Sequence, residues 1–446
     1  MSIWSVTAGD CRKILREMPP NSVDSAVTDP PYGLAVPPDP EKLLSHWLRG
    51  REFVPRGKGF MGQAWDASVP SPMMFRELFR VLRPGAHAVV FAGSRTVDLM
   101  GLSMRLAGFE IRDQLQWIYG SGFPKSLDVS KAIDKSAGVW RGRAGPMNSD
   151  NSAMGGGNYE RTPKGSPATA DALRWQGFGT ALKPAHEPII LARKPLVGTV
   201  AANYIEHGTG GINVDGCRIP SIEPTGWGGG GSSLFDGGLS RESKIAHREN
   251  LGRFPANILM DESAGALLDA QSGDRPGMSG GGIHTSSGGM FGAIDGNEGH
   301  LRGDSGGASR FFFCAKACRA EREAGLEHLE PIRRSDGRGK DIENPRLRTT
   351  ARRNHHPTVK PIALMRWLCR LVTPPGGLIV DPFTGSGTTG IAASVEGFSF
   401  AGCELSEEFA RIARERIAYF VGRPDMADAA EVASRNAERR QMELFS

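Results

Sequence analysis

The stretch L-I-V-D-P-F-T-G-S-G-T-T-G, from Leu378 to Gly390, constrains the fold of this chain more than any other. A short apolar run ends at Asp381. A turn carrying Gly385, Gly387 and Gly390 follows, and helix-forming residues resume at Thr388. Strand, glycine turn and helix in that order make a βα unit, and such units assemble into parallel sheets. Glycines let the backbone pass close to a ligand, and the N–H groups at a helix start are free to meet it. The spacing is formally G-x-G-x-x-G, a nucleotide-binding fingerprint. A phosphate-binding P-loop would need Lys before Ser or Thr, and none is present. Glu404 ends the next apolar run, 23 positions after Asp381, where its carboxylate could hold both hydroxyls of a ribose.

The same alternation recurs at both ends of the chain. Ser2–Val6 and Val23–Thr28 read as strands around a helix at Asp10–Met18. Pro72–Leu82 and Thr96–Ala107 read as helices, and Ala86–Phe91, Ile111–Tyr119 and His186–Arg193 as strands. Pro361–Val372 and Thr388–Val395 are helical, with strands at Gly377–Val380 and Phe398–Cys403. Ser406 caps a last helix whose first turn holds Glu407 and Glu408. Residues 33–70, rich in Pro and Gly, read as a long loop. Residues 198–310 carry nearly half of the 59 glycines and few apolar runs. Four regions follow: 1–197, an inserted Gly-rich region at 198–353, 354–422, and a charged tail at 423–446.

The net charge of +5 permits an anionic partner. The six cysteines form no disulfide framework. C-A-K-A-C at Cys314 and Cys318 lacks a second ligand pair, so no metal is expected. The N-terminus has no basic-then-apolar leader and no apolar run reaches membrane length. A soluble, cytoplasmic protein without a membrane partner is expected.

A second stretch, V-D-S-A-V-T-D-P-P-Y-G-L from Val23 to Leu34, runs an apolar strand into Asp29 and stops it at Pro30-Pro31. A carboxylate and the Tyr32 ring thereby flank a rigid step at a strand's end. The D-P-P-Y tetrad together with D-P-F-T-G-S-G resembles the DNA amino-methyltransferases, which methylate N6 of adenine or N4 of cytosine. With the D-P-P-Y motif first and the glycine motif last, the order is that of the permuted β class. H-P-T-V-K-P, His356–Pro361, is similar to that family's segment before the cofactor strand. Gly120–Asp134 and Arg310–Ala317 look like phage and prophage members.

The resemblance implies a Rossmann-like α/β methyltransferase fold with a permuted, seven-stranded, mostly parallel sheet whose last strand is antiparallel. Residues 198–330 would occupy the target-recognition position. The cofactor implied is S-adenosylmethionine, met by Asp10, Lys360, Asp381, Phe383, Gly385, Gly387, Thr388 and Glu404. Asp29, Pro30, Pro31 and Tyr32 would carry the chemistry. The Asp29 carboxylate and the Pro30 carbonyl would accept the amino protons, with Tyr32 stacked on a flipped base. D-P-P-Y favours adenine-N6, with cytosine-N4 as the alternative. Double-stranded DNA would be the partner, with the basic run Arg333–Lys360 able to meet its phosphates or to serve as a solvated linker, and a homodimer is an assembly open to such a chain. Q-M-E-L-F at the tail resembles a sliding-clamp docking peptide, with Gln441, Leu444 and Phe445 as its anchors. Two other classes stay open: a non-catalytic DNA-binding protein on this scaffold and a nicotinamide-dependent oxidoreductase. A C5-cytosine enzyme is disfavoured, because no Pro-Cys dipeptide occurs.

Overall fold

The structure, a computed structural model, describes residues 3–34, 38–54, 64–120, 122, 126–139, 141, 166–220, 252–277, 302–315, 319–332 and 351–423. Its strands are β1 (Trp4–Ala8), β2 (Val23–Thr28), β3 (Leu82–Phe91), β4 (Glu110–Ile118), β5 (His186–Arg193), β6 (Ile258–Asp261), β7 (Arg275–Gly277), β8 (Arg302–Gly306), β9 (Phe313–Ala315), β10 (Leu378–Asp381) and β11 (Ser399–Glu404). Its helices are α1 (Cys11–Glu17), α2 (Pro40–Leu48), α3 (Pro72–Val81), α4 (Val97–Ala107), α5 (Val129–Ser136), α6 (Ala170–Arg174), α7 (Val200–His207), α8 (Glu262–Ser272), α9 (Arg319–Glu323), α10 (Ile362–Val372), α11 (Thr388–Val395) and α12 (Glu407–Phe420).

The chain divides into two compact units, residues 1–120 with 186–446, and residues 121–185. The larger unit is built on a nine-stranded sheet in the order β1-β11-β10-β2-β3-β5-β4-β6-β9, while β7 and β8 form a separate antiparallel ribbon. Only β5 runs against the rest of the nine. The α/β, mostly parallel sheet is as expected, but it has nine strands where seven were expected. The two additional strands, β6 and β9, extend the sheet past β4. They are four and three residues long and come from the Gly-rich region, so no periodicity marked them. Pairing β6 against β4 also covers an edge that would otherwise expose its backbone groups.

β2 and β3 lie at the centre and are buried on both faces. Side chains alternate along a strand, so Val27, Val89 and Phe91 enter one core with α10, α11 and α12, and Ala26, Ala88 and Val90 enter another with α3 and α4. The long loop expected over 33–70 contains α2. Asp39 caps it, accepting from the Glu41 and Lys42 amides, Pro40 opens it, and Leu43 and Trp47, four apart, are buried.

In the smaller unit, α5 and α6 are joined through a buried carboxylate. Asp134 accepts from the Ala168 and Thr169 amides at 3.0 Å each and from the Thr169 hydroxyl at 2.7 Å, and it pairs with Arg141. Among the described residues of the whole chain, no helix is long and apolar enough to cross a membrane.

Candidate active site

β10 and β11, from the chain's end, insert between β1 and β2, from its beginning. The chain runs outward from β10 to β11 in one direction and from β2 to β3 in the other. The crevice at such a reversal, past the carboxyl ends of the strands, is where open α/β sheets receive ligands. Asp29 leaves β2 there and the glycine turn leaves β10. The Thr28 hydroxyl donates to Asp381 Oδ1 at 2.6 Å and ties the two strand ends together, and the Phe383 amide donates to the same oxygen at 3.0 Å. Burial pushes the Asp381 carboxyl up to about 6, against the opposing pull of its hydrogen bonds.

Past β2, four side chains converge. Lys360 Nζ donates to Asp29 Oδ2 at 2.7 Å and lies 3.1 Å from Glu187 Oε2 and 3.2 Å from the Tyr32 hydroxyl. That hydroxyl lies 2.8 Å from Asp29 Oδ1 and 2.9 Å from Glu187 Oε2. Burial pulls the Lys360 ammonium toward neutrality, but Asp29 and Glu187 outweigh it and hold the ammonium above the ordinary lysine value. Burial, then the two carboxylates, push the Tyr32 phenol well above its ordinary value, so it keeps its proton. The D-P-P-Y turn is fixed from both sides. Asp66 Oδ1 accepts from the Tyr32 and Gly33 amides at 2.9 and 3.2 Å, and the Thr96 hydroxyl donates to the Tyr32 carbonyl at 2.6 Å.

A cleft of about 420 Å³ adjoins this cluster. It runs from Asp29–Tyr32 past Gly9 and Asp10 to Phe383, Gly385, Glu404 and Phe409. Gly385 has φ +55°, and a Cβ there would stand 2.9 Å from the His356 ring. Gly387 has φ +84°, and a Cβ there would meet the Ala413 backbone at 2.9 Å. Both positions exclude other residues, one by the cleft wall and one by helix packing. Glu404 accepts from the Gly385 and Ser406 amides at 2.9 Å each, which holds the turn to the start of α12. His356 donates from Nδ1 to the Thr358 carbonyl at 2.7 Å, and burial lowers it to about 4, so its ring is neutral. The cleft carries Asp10, Asp29, Asp66 and Glu404, and no Lys or Arg stands among its described lining residues.

Of the residues predicted to meet a cofactor, Asp10, Phe383, Gly385 and Glu404 line the cleft, as do all four of Asp29–Tyr32. Asp10 also caps α1, accepting from the Arg12 amide at 2.8 Å. The other four stand elsewhere. Lys360, two residues before α10, pairs with Asp29 and Glu187. Asp381 is buried behind the turn, Gly387 faces α12, and Thr388 accepts from Arg416. Sequence reasoning missed Glu187, Asp66 and His356. The signal for Glu187 was topological: a strand that runs antiparallel begins at the edge where its neighbours end. Gln441, Leu444 and Phe445 lie outside the described residues, as do 333–350 of the basic run.

Residues 311–415 match a family model described as DNA methylase. That stretch holds Lys360, the glycine turn and Glu404. The type II methyltransferase M2.DpnII of Streptococcus pneumoniae is 44% identical over 62 residues, covering 14% of this chain and 23% of that protein. The DNA adenine methyltransferase YhdJ of Escherichia coli strain K12 is 38% identical over 63 residues, covering 14% of this chain and 21% of that protein. The chain thus spans only 21% to 28% of the length of the curated relatives it matches first. Among solved structures, the cytosine-N4-specific PvuII DNA methyltransferase aligns over 95% of this chain and 93% of its own, at 13% identity and a TM-score of 0.40. The M1.HpyAVI–SAM complex aligns over 93% and 100%, at 13% identity and a TM-score of 0.35. Over the matched segment, which holds the glycine motif and not D-P-P-Y, the chain is similar to the DNA methylases, and the resemblance to that family is borne out.

Proposed function

We propose that this protein transfers a methyl group from S-adenosylmethionine to an exocyclic amino nitrogen of a base in double-stranded DNA, with N6 of adenine as the target. The carrying observation is the charge of the cleft. Asp10, Asp29, Asp66 and Glu404 line it with no Lys or Arg among the described lining residues, and the His356 ring there is neutral. Such a wall repels a pyrophosphate and suits a cationic nucleoside without phosphate. The volume is within the range of small-molecule sites. Asp10 and Glu404 offer carboxylates for hydroxyl or amino donors, and Phe383, Leu405 and Phe409 offer apolar surface. These residues fit S-adenosylmethionine, which supplies an electrophilic methyl group on a sulfonium.

The rest is the protein's own work. An exocyclic amino lone pair is delocalised into the base ring and must localise on nitrogen before it can attack. Acceptors for the amino protons favour that geometry over the planar ground state, which is differential stabilisation of the transition state. Asp29 holds one acceptor at the cleft floor, and the Pro30 carbonyl, aimed by a fixed φ, supplies another. Tyr32 provides the ring for the base, which must leave the duplex to arrive there. Support for adenine comes from Asp at position 29 and from the similarity to YhdJ.

The test uses duplex DNA, methyl-labelled S-adenosylmethionine and nucleoside analysis of the product. Label in N6-methyladenine, reduced about 100-fold or more by Asp29→Ala, is the expected outcome. Label in N4-methylcytosine would move the target to cytosine. An inactive wild type, or an Asp29→Ala variant as active as wild type, would overturn the reading.

A further inference from the structure

We propose that Tyr32 and Glu187 form the exit route for the proton that Asp29 takes from the amino group. This rests on the methyl-transfer reading above and adds two acting residues to it. The Tyr32 hydroxyl has one proton but two carboxylate neighbours, Asp29 Oδ1 at 2.8 Å and Glu187 Oε2 at 2.9 Å. One proton satisfies only one of those contacts at a time. With both carboxylates ionised, the other contact sets acceptor against acceptor, eased by Lys360 Nζ, which touches all three groups. A proton placed on Asp29 completes the chain: Asp29 donates to the hydroxyl oxygen, and the hydroxyl donates to Glu187. The cluster is built one proton short, and the reaction supplies that proton.

Charge balances in the same way. Two carboxylates and one ammonium carry a net −1 before reaction, which would balance the +1 of a bound sulfonium. The amino lone pair forms the new N–C bond, and the S–C pair stays on sulfur. The amino nitrogen then yields a proton to Asp29 Oδ1. As that proton passes to the Tyr32 oxygen, the Tyr32 proton passes to Glu187, which releases it to water. While the proton sits on the cluster, cluster and spent cofactor are both neutral; its release to water returns the cluster to −1 and leaves the positive charge in the solvent. The direction outward fits the exposures, since the Glu187 side chain is 23% exposed and that of Asp29 16%. Lys360 is a positioning residue that holds both carboxylates on the hydroxyl. The other titratable groups facing the cluster are Tyr119 past β4, which feels Glu187 and Lys360, Asp381 beside Asp29, and His356, which feels Lys360.

The experiment compares wild type, Tyr32→Phe, Glu187→Gln and Glu187→Asp. Equilibrium binding of S-adenosylmethionine is measured by titration calorimetry, and single-turnover methyl transfer is followed across pH in mixtures of light and heavy water. Cofactor affinity should stay within about twofold in all four proteins, showing an intact cleft, while Glu187→Gln and Tyr32→Phe slow the transfer step about tenfold or more. A route through two moving protons makes the wild-type rate fall along a curve as deuterium replaces hydrogen. Both slow variants should lose that curvature, and Glu187→Asp should regain part of it. Wild-type pH profile and isotope curvature in Glu187→Gln and Tyr32→Phe would overturn the exit route while leaving the methyl-transfer reading intact. Loss of cofactor affinity along with rate in both variants would assign the two residues to building the cleft and also overturn it. If wild type transfers no methyl group, it is the earlier reading that fails.

Discussion

At the scale of single residues, Lys360 shows how far a motif carries. The H-P-T-V-K-P sequence marked it as a residue to meet a cofactor, yet its partners are Asp29, 331 residues away, and Glu187. Two carboxylates held so close, each mostly out of water, depend on that ammonium. Removing one member of a buried ion pair leaves an uncompensated charge and typically costs 3–5 kcal/mol, whereas removing both is far milder. Lys360→Met should therefore lower unfolding free energy by about 3 kcal/mol in urea titrations. Adding Glu187→Gln to it should restore part of that loss, and a double variant as unstable as the sum of both singles would contradict the pairing. Asp29, Tyr32, Gly385 and Glu404 were legible in the sequence because each belongs to a local pattern of strand, turn and helix. Glu187 was not, since its approach to Asp29 follows from the direction of β5, which a one-dimensional pattern does not state.

At the scale of elements, the joint between β2 and β10 is what brings the two motifs together. Their register pairs Ile379 with Ser25 and Val380 with Ala26, and Asp381 with Thr28 closes the end of the joint. Asp381 keeps its proton to about pH 6 when folded, against an ordinary value of 3.8. Across that window the folded state binds more protons than the unfolded chain, so stability falls as pH rises. The contribution is full below about pH 4 and gone above about pH 6, a loss of about 3 kcal/mol at 1.36 kcal/mol per pKa unit. Asp381→Asn removes the titration. Its unfolding free energy relative to wild type should rise by about that amount between pH 4 and pH 7, and a difference independent of pH would refute the assignment. Elements with strong periodicity, such as α3, α10 and α12, stood out in the sequence. The helix α2 did not, because Pro and Gly around it outweighed the Asp39-Pro40 start and the Leu43–Trp47 spacing. β6 and β9 were hidden by their shortness.

At the scale of the molecule, the permuted order makes the two ends of the chain one structure. Among the described residues, β1 has only β11 as a sheet neighbour, and β2 loses one of its two neighbours without β10. A fragment of residues 1–220 would also lose α10, α11 and α12, uncovering Val27, Val89, Phe91, Ile189 and Leu191 on one face of the sheet. At roughly 1.5–3 kcal/mol for each buried apolar side chain, those five alone sum to about 10 kcal/mol. That is on the order of the whole stability of a domain, about 5–15 kcal/mol. The cleft is divided in the same way, with Asp10 and Asp29 on one fragment and Phe383 and Glu404 on the other. Residues 1–220 and 252–446, produced separately, should each unfold without a cooperative transition and bind no S-adenosylmethionine. Mixed or co-expressed, they should recover both a cooperative melt in calorimetry and cofactor binding in titration. A cooperative melt from residues 1–220 alone would mean that the remaining strands and the α3–α4 core sustain the sheet, and that the interleaving of the ends shapes the cleft without being needed for the fold.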